Sequence, residues 1–293
     1  MRLPRFEYFA PKSLPEALTL LEEKTDGVHV MAGGTDMMVK MSHGRLTPKT
    51  IVNIKEIPDL RYIRFSPDKG LEIGSTALLS DVLKDSYINA YYPALIQAVQ
   101  TMANTEVRNM ATLAGNLCNA APSADSAPPL MVMGAQISLL SAKGERRLPL
   151  MDFFQGPGIT VKAPTEIMTA IHVPSPQSNS GASYKRISAR CGVDIAAVGS
   201  GAWVKIEANK FTEARIVLGA VAPVPLRAVE TEAALIGAPF HDETVINAAR
   251  IASNEAKPIS DVRATAHYRK RMVEVMTKRA IFEACERSHA RQS

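Results

Sequence analysis

A change of pattern at residues 174–183 narrows the possible folds of this chain more than any other stretch. The segment reads PSPQSNSGAS and has no apolar periodicity, which is typical of a linker. Before it, short strand-like and helix-like stretches follow one another irregularly. After it, residues 183–222 predict three successive strands, and the chain from residue 229 onward predicts helices. Strands followed by segregated helices indicate an α+β protein.

Local patterns predict most of the individual elements. Ser13 and Glu16 predict a capping box at the start of a helix over 13–24, because the Ser13 side chain can accept the Glu16 N–H and the Glu16 side chain can accept the Ser13 N–H. A short strand that runs into a glycine turn is predicted over 28–34, a strand with its exit over 50–60, and a further strand at 165–174. Hairpins are predicted at 61–75 and 135–150, and helices at 78–84 and 94–103. Beyond the linker, strands are predicted at 183–190, 196–208 and 213–222, and helices at 229–236, 242–256 and 260–288.

Composition excludes several functional classes. The basic stretch HYRKRMVEVMTKR at 267–279 is interpreted as an exposed helix face, since nucleic-acid binding needs a denser stripe with interleaved aromatics. Cys118, Cys191 and Cys285 lie far apart, so no disulfide framework, zinc site or iron–sulfur cluster is expected in this chain. No apolar run approaches the ~20 residues of a membrane span, and the N-terminus lacks the apolar core of a signal peptide. A cytoplasmic location is therefore expected.

Two adjacent glycines, Gly33 and Gly34, follow a predicted strand and precede Thr35 and Asp36. A dinucleotide site of the Rossmann type has spaced glycines and continues into an amphipathic helix, whereas MMVKMSHG shows no clear helical face. The remaining interpretations are an ordinary turn and a turn whose consecutive N–H groups hold an anion. The motif taken alone favours the ordinary turn.

A second stretch, RNMATLAGNLCNAAPSADSAPPLM at 108–131, is rich in small residues and predicts a long loop. Such a loop is unusual inside a compact domain unless it has a function, and small side chains let an extended ligand approach the backbone. Asn116 offers a donor and an acceptor, Asp125 can accept ribose hydroxyls, and Thr112 can donate to a phosphate. The alternative is a surface loop in which Ser123 and Asp125 cap a helix.

Both motifs belong to a wider resemblance. AGGTD near residue 33, TLAGN near residue 113 and the following NAAPSADSAPPL resemble the FAD-binding medium subunit of the molybdenum hydroxylases, the xanthine dehydrogenase and carbon monoxide dehydrogenase type of enzyme. The runs RISARCGVDIAAVG at 186–199 and LGAVAPVPLRA at 218–228 resemble the C-terminal flavoprotein domain of the same subunit. The resemblance covers the whole chain.

The resemblance implies a fold and a domain division. The fold would be α+β, with a two-lobed FAD-binding domain of the vanillyl-alcohol oxidase type followed by a C-terminal domain of a small antiparallel sheet plus a helical bundle. The lobes would span residues 1–57 and 58–177, with FAD in the cleft between them, and the C-terminal domain would span residues 178–293.

The resemblance also implies the cofactor-binding residues. The first loop, which would hold the FAD diphosphate, consists of Met31, Ala32, Gly33, Gly34, Thr35 and Asp36. The second loop consists of Ala111, Thr112, Gly115 and Asn116, with Asp125 at the adenosine ribose. Met168 matches an apolar position near the flavin ring, and a basic position beside the flavin falls on Arg186, or on Lys185 if the alignment shifts by one. No catalytic acid or base and no metal ligand is implied.

One position departs from the family pattern, which has two glycines where this chain has Ala114 and Gly115. If residue 114 needed a positive φ, alanine would cost on the order of 1–2 kcal/mol and FAD binding would weaken. A backbone compatible with alanine is the favoured expectation. The three scattered cysteines also do not fit relatives of the hydroxybenzoyl-CoA reductase type, which carry an additional iron–sulfur cluster, and Cys118 is interpreted as a small buried residue.

The implied function is that of an oxidoreductase subunit. Its FAD would take electrons from 2Fe-2S clusters of a small subunit, supplied by a molybdenum cofactor on a large subunit, and pass them to NAD+ or another acceptor. The implied assembly is a dimer of heterotrimers. A xanthine dehydrogenase type is favoured. The alternatives are a carbon monoxide dehydrogenase, nicotinate dehydrogenase or aromatic CoA reductase type of medium subunit, a non-catalytic assembly subunit, and a free-standing flavin oxidase, which the absence of a substrate domain disfavours.

Overall fold

A computed structural model describes residues 3–190 and 193–290 of the chain. Cys191 lies outside the described residues. The described part contains three main sheets in sequence order, each with its own helices, which confirms the predicted α+β class. Among the described helices, none combines the length and apolarity that a membrane span requires.

The first sheet is small and parallel. Strand β3 (Thr50–Asn53) lies between β1 (Glu7–Phe9) and β2 (Val28–Met31) and pairs in parallel with both. Helix α1 (Leu14–Glu23) covers the sheet, and helix α2 (Thr35–Ser42) follows β2. The Ser13 half of the predicted capping box is confirmed, since the Ser13 hydroxyl accepts from the Glu16 N–H at 3.4 Å, but the Glu16 carboxylate accepts from the Lys12 N–H at 2.8 Å instead of from the Ser13 N–H.

The second sheet is antiparallel and carries the two predicted hairpins. Its strands are, in spatial order, β4 (Ile63–Ser66), β5 (Gly70–Gly74), β10 (Ile167–Val173), β6 (Gln136–Ser141) and β7 (Gly144–Pro149). A separate two-stranded ribbon is formed by β8 (Phe154–Gly156) and β9 (Ile159–Thr160).

Six short helices lie between β5 and β6 in the chain. They are α3 (Leu79–Lys84), α4 (Ser86–Tyr91), α5 (Pro93–Thr101), α6 (Thr105–Arg108), α7 (Leu113–Asn119) and α8 (Ala127–Val132). The expectation of a continuous loop over 108–131 is therefore wrong. Helices α7 and α8 are each under two turns long, too short for apolar periodicity to show. They are stabilised by burial of side chains such as Leu117 and Leu130 in the largest core cluster.

The third sheet is antiparallel and is followed by helices, as predicted. Its strands are β11 (Ser180–Ser188), β12 (Ala196–Glu207), β13 (Lys210–Gly219) and β14 (Leu226–Arg227), and its helices are α9 (Val229–Leu235), α10 (Asp242–Glu255) and α11 (Ala266–Ala290). Helix α11 begins later than the predicted residue 260. The carboxylate of Asp261 accepts from the N–H groups of Arg263 and Ala264 and from the Arg269 guanidinium, which holds this segment in a turn.

The predicted linker is shorter than expected, because strand β11 already begins at Ser180. Gly181 packs directly against helix α11: a Cβ there would overlap the carbonyl oxygen of Ala284 and lie 2.6 Å from the Ser288 nitrogen. The small residues at the end of the segment therefore reflect close packing of helix on strand. Composition alone cannot distinguish this arrangement from a flexible linker.

Glu283 of helix α11 joins the C-terminal domain to helix α5. Its carboxylate accepts from Gln97 Nε2 at 2.9 Å and from the Ser183 hydroxyl, and it pairs with Lys185 Nζ at 2.9 Å. Burial alone would raise the pKa of Glu283. The hydrogen bonds from Gln97, Ser183 and Lys185, together with the charge of Arg287, nevertheless hold it at about 2.

This shift predicts an acid-sensitive contribution to stability. Because the folded pKa is below the ordinary value of 4.5, the contribution is present above that pH and is lost as the pH falls toward 2. We expect Glu283→Gln to lower the free energy of unfolding at pH 7 by about 2 kcal/mol after allowance for partial exposure.

Urea unfolding at a series of pH values measures this difference, which should shrink between about pH 4.5 and pH 2. Glu286→Gln, at an exposed position of the same helix, is the matched control. A difference that does not change with pH would contradict the assignment.

Candidate functional site

The adjacent glycines end strand β2 and begin helix α2. Gly34 is the N-cap of the helix and has φ of +74°, a left-handed conformation that favours glycine. No side chain of the described residues caps this helix, so the first-turn N–H groups of Thr35 and Asp36 have no side-chain acceptor among them. Such a helix N-terminus attracts an anion.

A helix follows these glycines although the sequence shows no clear helical face there. Helix α2 is only partly buried: Met41 is the single buried residue among its eight. The apolar stripe on which a sequence-based prediction depends is therefore missing. The glycines nevertheless remain adjacent, so the site differs from a Rossmann turn, whose glycines are spaced.

The second loop lies directly against the first. A Cβ on Gly33 would overlap the carbonyl oxygen of Met110 and come within 2.8 Å of the Ala111 Cα. Lys40 Nζ of helix α2 donates to Asn119 Oδ1 of helix α7 at 2.5 Å. Two glycine-bearing segments that are far apart in the sequence therefore form one continuous surface.

Thr112 organises the second loop. It is the N-cap of helix α7, and its buried hydroxyl oxygen accepts from the Gly115 N–H at 3.0 Å, which leaves its own O–H available as a donor. Ala114 lies inside helix α7 and is absent from the residues with positive φ, so the cost considered for alanine at this position does not arise. Asn116 Oδ1 accepts from the Ser126 hydroxyl at 2.6 Å.

Asp125 lies in a buried network between helix α8 and strand β11. Its carboxylate accepts from the Tyr184 hydroxyl at 2.6 Å and from Arg186 Nη1 at 2.8 Å. The alternative of Ser123 and Asp125 as helix caps is wrong, because helix α8 begins at Ala127 and has no side-chain cap.

The electrostatics of this network reflect its burial. The Arg186 and Asp125 side chains are only 7% and 10% exposed. Burial raises the pKa of Asp125, while Arg186 and the Tyr184 hydroxyl act in the opposite direction. Burial and the neighbouring carboxylate raise the pKa of Tyr184 well above its usual value. The tyrosine therefore stays protonated and donates to Asp125.

The two basic residues considered for the flavin position lie on opposite sides of strand β11, as strand alternation requires. Arg186 pairs with Asp125 and also donates to the carbonyl oxygens of Thr101 and Asp194. Lys185 pairs with Glu283 on the side of helix α11. Only Arg186 is connected through Asp125 to the region of the second loop.

Met168 is a core residue of strand β10. It is 3% exposed and belongs to the same core cluster as Leu113 and Leu117 of helix α7. Cys118 is half-buried and packs against that cluster, and burial raises the pKa of its thiol to about 11. The thiol is therefore protonated at neutral pH, which fits the packing role expected from the sequence.

Three basic residues near the loops were not singled out in the sequence. Lys162 Nζ donates to the carbonyl oxygens of Ala163 and Glu166 at 3.0 and 3.1 Å, and burial lowers its pKa. Burial also lowers the pKa of His29 on strand β2, and the charges of Lys162 and Lys40 lower it further. Lys162 follows strand β9 in an irregular segment, so no sequence pattern places it beside the first lobe. His29, Lys40 and Lys162 are called the basic cluster below.

The site thus combines free helix N–H groups, a glycine surface without side chains and the basic cluster. Such a surface can bind a doubly charged diphosphate. Its donors suit phosphate oxygens, and the described residues contain no group of three or more side chains that could hold a metal ion. The residues present therefore fit a dinucleotide cofactor.

Comparison with known families gives matches over nearly the whole chain. Residues 4–176 match the family described as the FAD binding domain in molybdopterin dehydrogenase. Residues 182–284 match the CO dehydrogenase flavoprotein C-terminal domain.

Similar proteins include separate subunits of several dehydrogenases. The chain is 32% identical to the xanthine dehydrogenase FAD-binding subunit of Escherichia coli O157:H7, over 94% of this chain and 95% of that protein. It is also 32% identical to the glyceraldehyde dehydrogenase medium chain of Sulfolobus acidocaldarius, over 96% and 98% of the two chains. Among solved structures, carbon monoxide dehydrogenase from Hydrogenophaga pseudoflava superposes with a TM-score of 0.94 at 32% identity, covering 98% of this chain and 99% of that chain.

Proposed function

This chain belongs to the FAD-binding medium subunits of the molybdenum hydroxylases, the xanthine dehydrogenase and carbon monoxide dehydrogenase type, and we propose that it carries electrons through its FAD to NAD+ or another acceptor. The observation that carries the proposal is the contact between the two glycine-bearing loops. It forms a single donor-rich surface beside an uncapped helix N-terminus.

Each loop has a distinct role in this proposal. The first loop, residues 31–36, holds the diphosphate through backbone N–H groups, and Lys40 and Lys162 of the basic cluster compensate its charge. Thr112, Gly115 and Asn116 form the facing side, and Ala111 packs against the first loop. Asp125 accepts the ribose hydroxyls with lone pairs that Tyr184 and Arg186 leave free.

Met168 takes the flavin end of the cofactor, whereas Arg186, whose guanidinium is bonded to Asp125, takes the ribose end. Met168 gives the ring an apolar wall, and Arg186 places a positive charge in the same network as Asp125. Bound flavin supplies the redox chemistry, while the protein binds it, orients it and sets its electrostatic surroundings. We further propose the domain boundaries 1–57, 58–177 and 178–293; each of the three main sheets falls within one of these segments.

The proposed partners are a large subunit with a molybdenum cofactor and a small subunit with 2Fe-2S clusters, in a dimer of heterotrimers. Support comes from relatives that are themselves named as subunits or medium chains. A xanthine-type substrate remains the favoured choice. The equal identity to xanthine and glyceraldehyde dehydrogenase subunits shows that similarity of this chain does not select the substrate, whose pocket we place on the large subunit.

Copurification from native extracts tests the proposed function. We expect the chain to carry about one FAD per polypeptide and to bring down a molybdenum-containing large subunit and an iron–sulfur small subunit. A colourless chain within the same complex would instead support a non-catalytic assembly subunit. A flavin-loaded monomer that oxidises a substrate without partners would support a free-standing oxidase.

Lys162→Met tests the basic cluster. We expect a roughly fivefold to tenfold weaker FAD affinity, because one positive charge near the diphosphate is lost. The effect should diminish at high salt, since added ions screen the same attraction. Fluorescence titration of the apoprotein with FAD measures the affinity.

Lys143→Met is the matched control, because Lys143 lies in the exposed turn between β6 and β7. Unchanged FAD affinity in Lys162→Met, with unchanged thermal stability, would exclude Lys162 from the site.

A further inference from the structure

A cavity of about 330 Å³ lies between the second sheet's helices and the C-terminal sheet. Its apolar walls include Tyr91, Pro93, Met133 and Pro176, and the side chains of Trp203 and Arg215 line its other side. This volume is within the range of small-molecule sites. The fold thus has a second concave site at a domain junction.

The cavity is separate from the glycine loops. Ala182, near the start of strand β11, borders it, whereas Arg186 of the Asp125 network lies four residues further along the strand. Four residues of extended strand span roughly 13 Å. On strand β10, the cavity lies beyond the last residue, at Pro174, while Met168 is near the other end.

Arg215 is the unusual residue in this cavity. Its guanidinium stacks on the Trp203 ring, 3.9 Å from the ring centroid, and makes no hydrogen bond or ion pair with any part of the chain that the structure describes. Burial lowers the pKa of Arg215, but a guanidinium remains charged at neutral pH. A planar group with five N–H donors is thus held in place without an acceptor from residues 3–190 or 193–290.

The surroundings of Arg215 restrict the ligand. The second guanidinium at the cavity, Arg287, is already bonded to the carbonyl oxygen of Ala182 and to Gln97 and Glu283. Among the described residues, Arg215 is therefore the charged group that faces the apolar walls without a bonded partner. This arrangement suits a ligand with a single negative charge and an apolar body, and it disfavours a compact multivalent anion such as inorganic phosphate.

We propose that this cavity binds a small organic carboxylate, whose two oxygens pair with the Arg215 fork while its apolar body packs against Trp203, Pro93 and Met133. The planar fork of arginine matches a carboxylate through two parallel hydrogen bonds. The proposal does not depend on the flavin site, and the experiment that tests it does not test that site.

Isothermal titration calorimetry of the full chain, purified with its bound flavin, tests the proposal with benzoate, benzamide and inorganic phosphate as probes. We expect benzoate to bind, and benzamide and phosphate to bind at least tenfold more weakly. Trp203 is the only tryptophan of the chain, so benzoate should also change the tryptophan fluorescence of the isolated protein.

Two variants at Arg215 sharpen the test. Arg215→Met should lower benzoate affinity at least tenfold, and Arg215→Lys should restore only part of it, since lysine keeps the charge without the fork. Lys210→Met, at an exposed position of the same strand, should leave binding unchanged. Equal benzoate binding by wild type and Arg215→Met, equal binding of benzoate and benzamide, or no binding of any probe would each overturn the proposal.

Discussion

Replacing Gly33 with alanine is expected to weaken FAD binding by about tenfold to hundredfold, which corresponds to the 1–3 kcal/mol typical of overpacking. The added Cβ would overlap the Met110 carbonyl oxygen and approach the Ala111 Cα to 2.8 Å. Both atoms belong to the backbone and cannot rotate away. The second loop must therefore retreat, and the surface proposed to hold the diphosphate opens.

Gly156→Ala is the matched control for this experiment. Its added Cβ would meet nothing closer than 3.7 Å, and Gly156 has no positive φ. FAD titration of both apoproteins, with circular dichroism to establish folding, gives the comparison. A folded Gly33→Ala protein that binds FAD as tightly as wild type would contradict the role assigned to the loop contact.

Asp125→Ala is expected to cause a large loss of stability together with weaker FAD retention. The stability loss, about 3–5 kcal/mol, arises because the buried Arg186 guanidinium is left without its carboxylate. FAD retention falls because, in our proposal, the ribose hydroxyls lose their acceptor. Urea unfolding and flavin content of the purified variant measure the two effects.

A double variant separates these effects. In Asp125→Ala combined with Arg186→Met, no buried charge is left unpaired, so we expect much of the stability to return. FAD retention should remain weak, because Arg186→Met cannot restore the acceptor. Tyr184→Phe removes only one hydrogen bond to Asp125 and should cost about 1–2 kcal/mol.

The flavin content and the stability of these variants distinguish the two roles of Asp125. If the double variant retained full FAD occupancy, Asp125 would be a structural residue of the junction between α8 and β11 and would not be a ribose ligand. If the single variant kept wild-type stability, the ion pair with Arg186 would not form in solution.

The sequence was sufficient to predict the helices and strands that have strong local signals. The cap at Ser13, both hairpins, the three C-terminal strands and the long terminal helix all follow from turn chemistry and periodicity. The sequence did not predict helices α2, α7 and α8. Helix α2 buries only Met41, and α7 and α8 are short and depend on burial in the tertiary structure.

The candidate site likewise has features that the sequence shows and features that only the tertiary structure determines. The glycine segments were recognisable from their letters, but the reason for Gly33 is the backbone of Met110, a contact between distant parts of the chain. The ion pair of Asp125 with Arg186 and the position of Lys162 are likewise set by tertiary structure. Ala114 departs from the family pattern of two glycines, but its backbone is helical, so alanine has no conformational cost at this position.

A crystal structure of the FAD-loaded protein addresses the proposed site directly. We expect the diphosphate to lie between residues 33–36 and residues 112–116, with backbone N–H groups of both segments donating to its oxygens and with Asp125 at the ribose. Density for the dinucleotide in any other cleft, with these two segments unliganded, would contradict the proposed site.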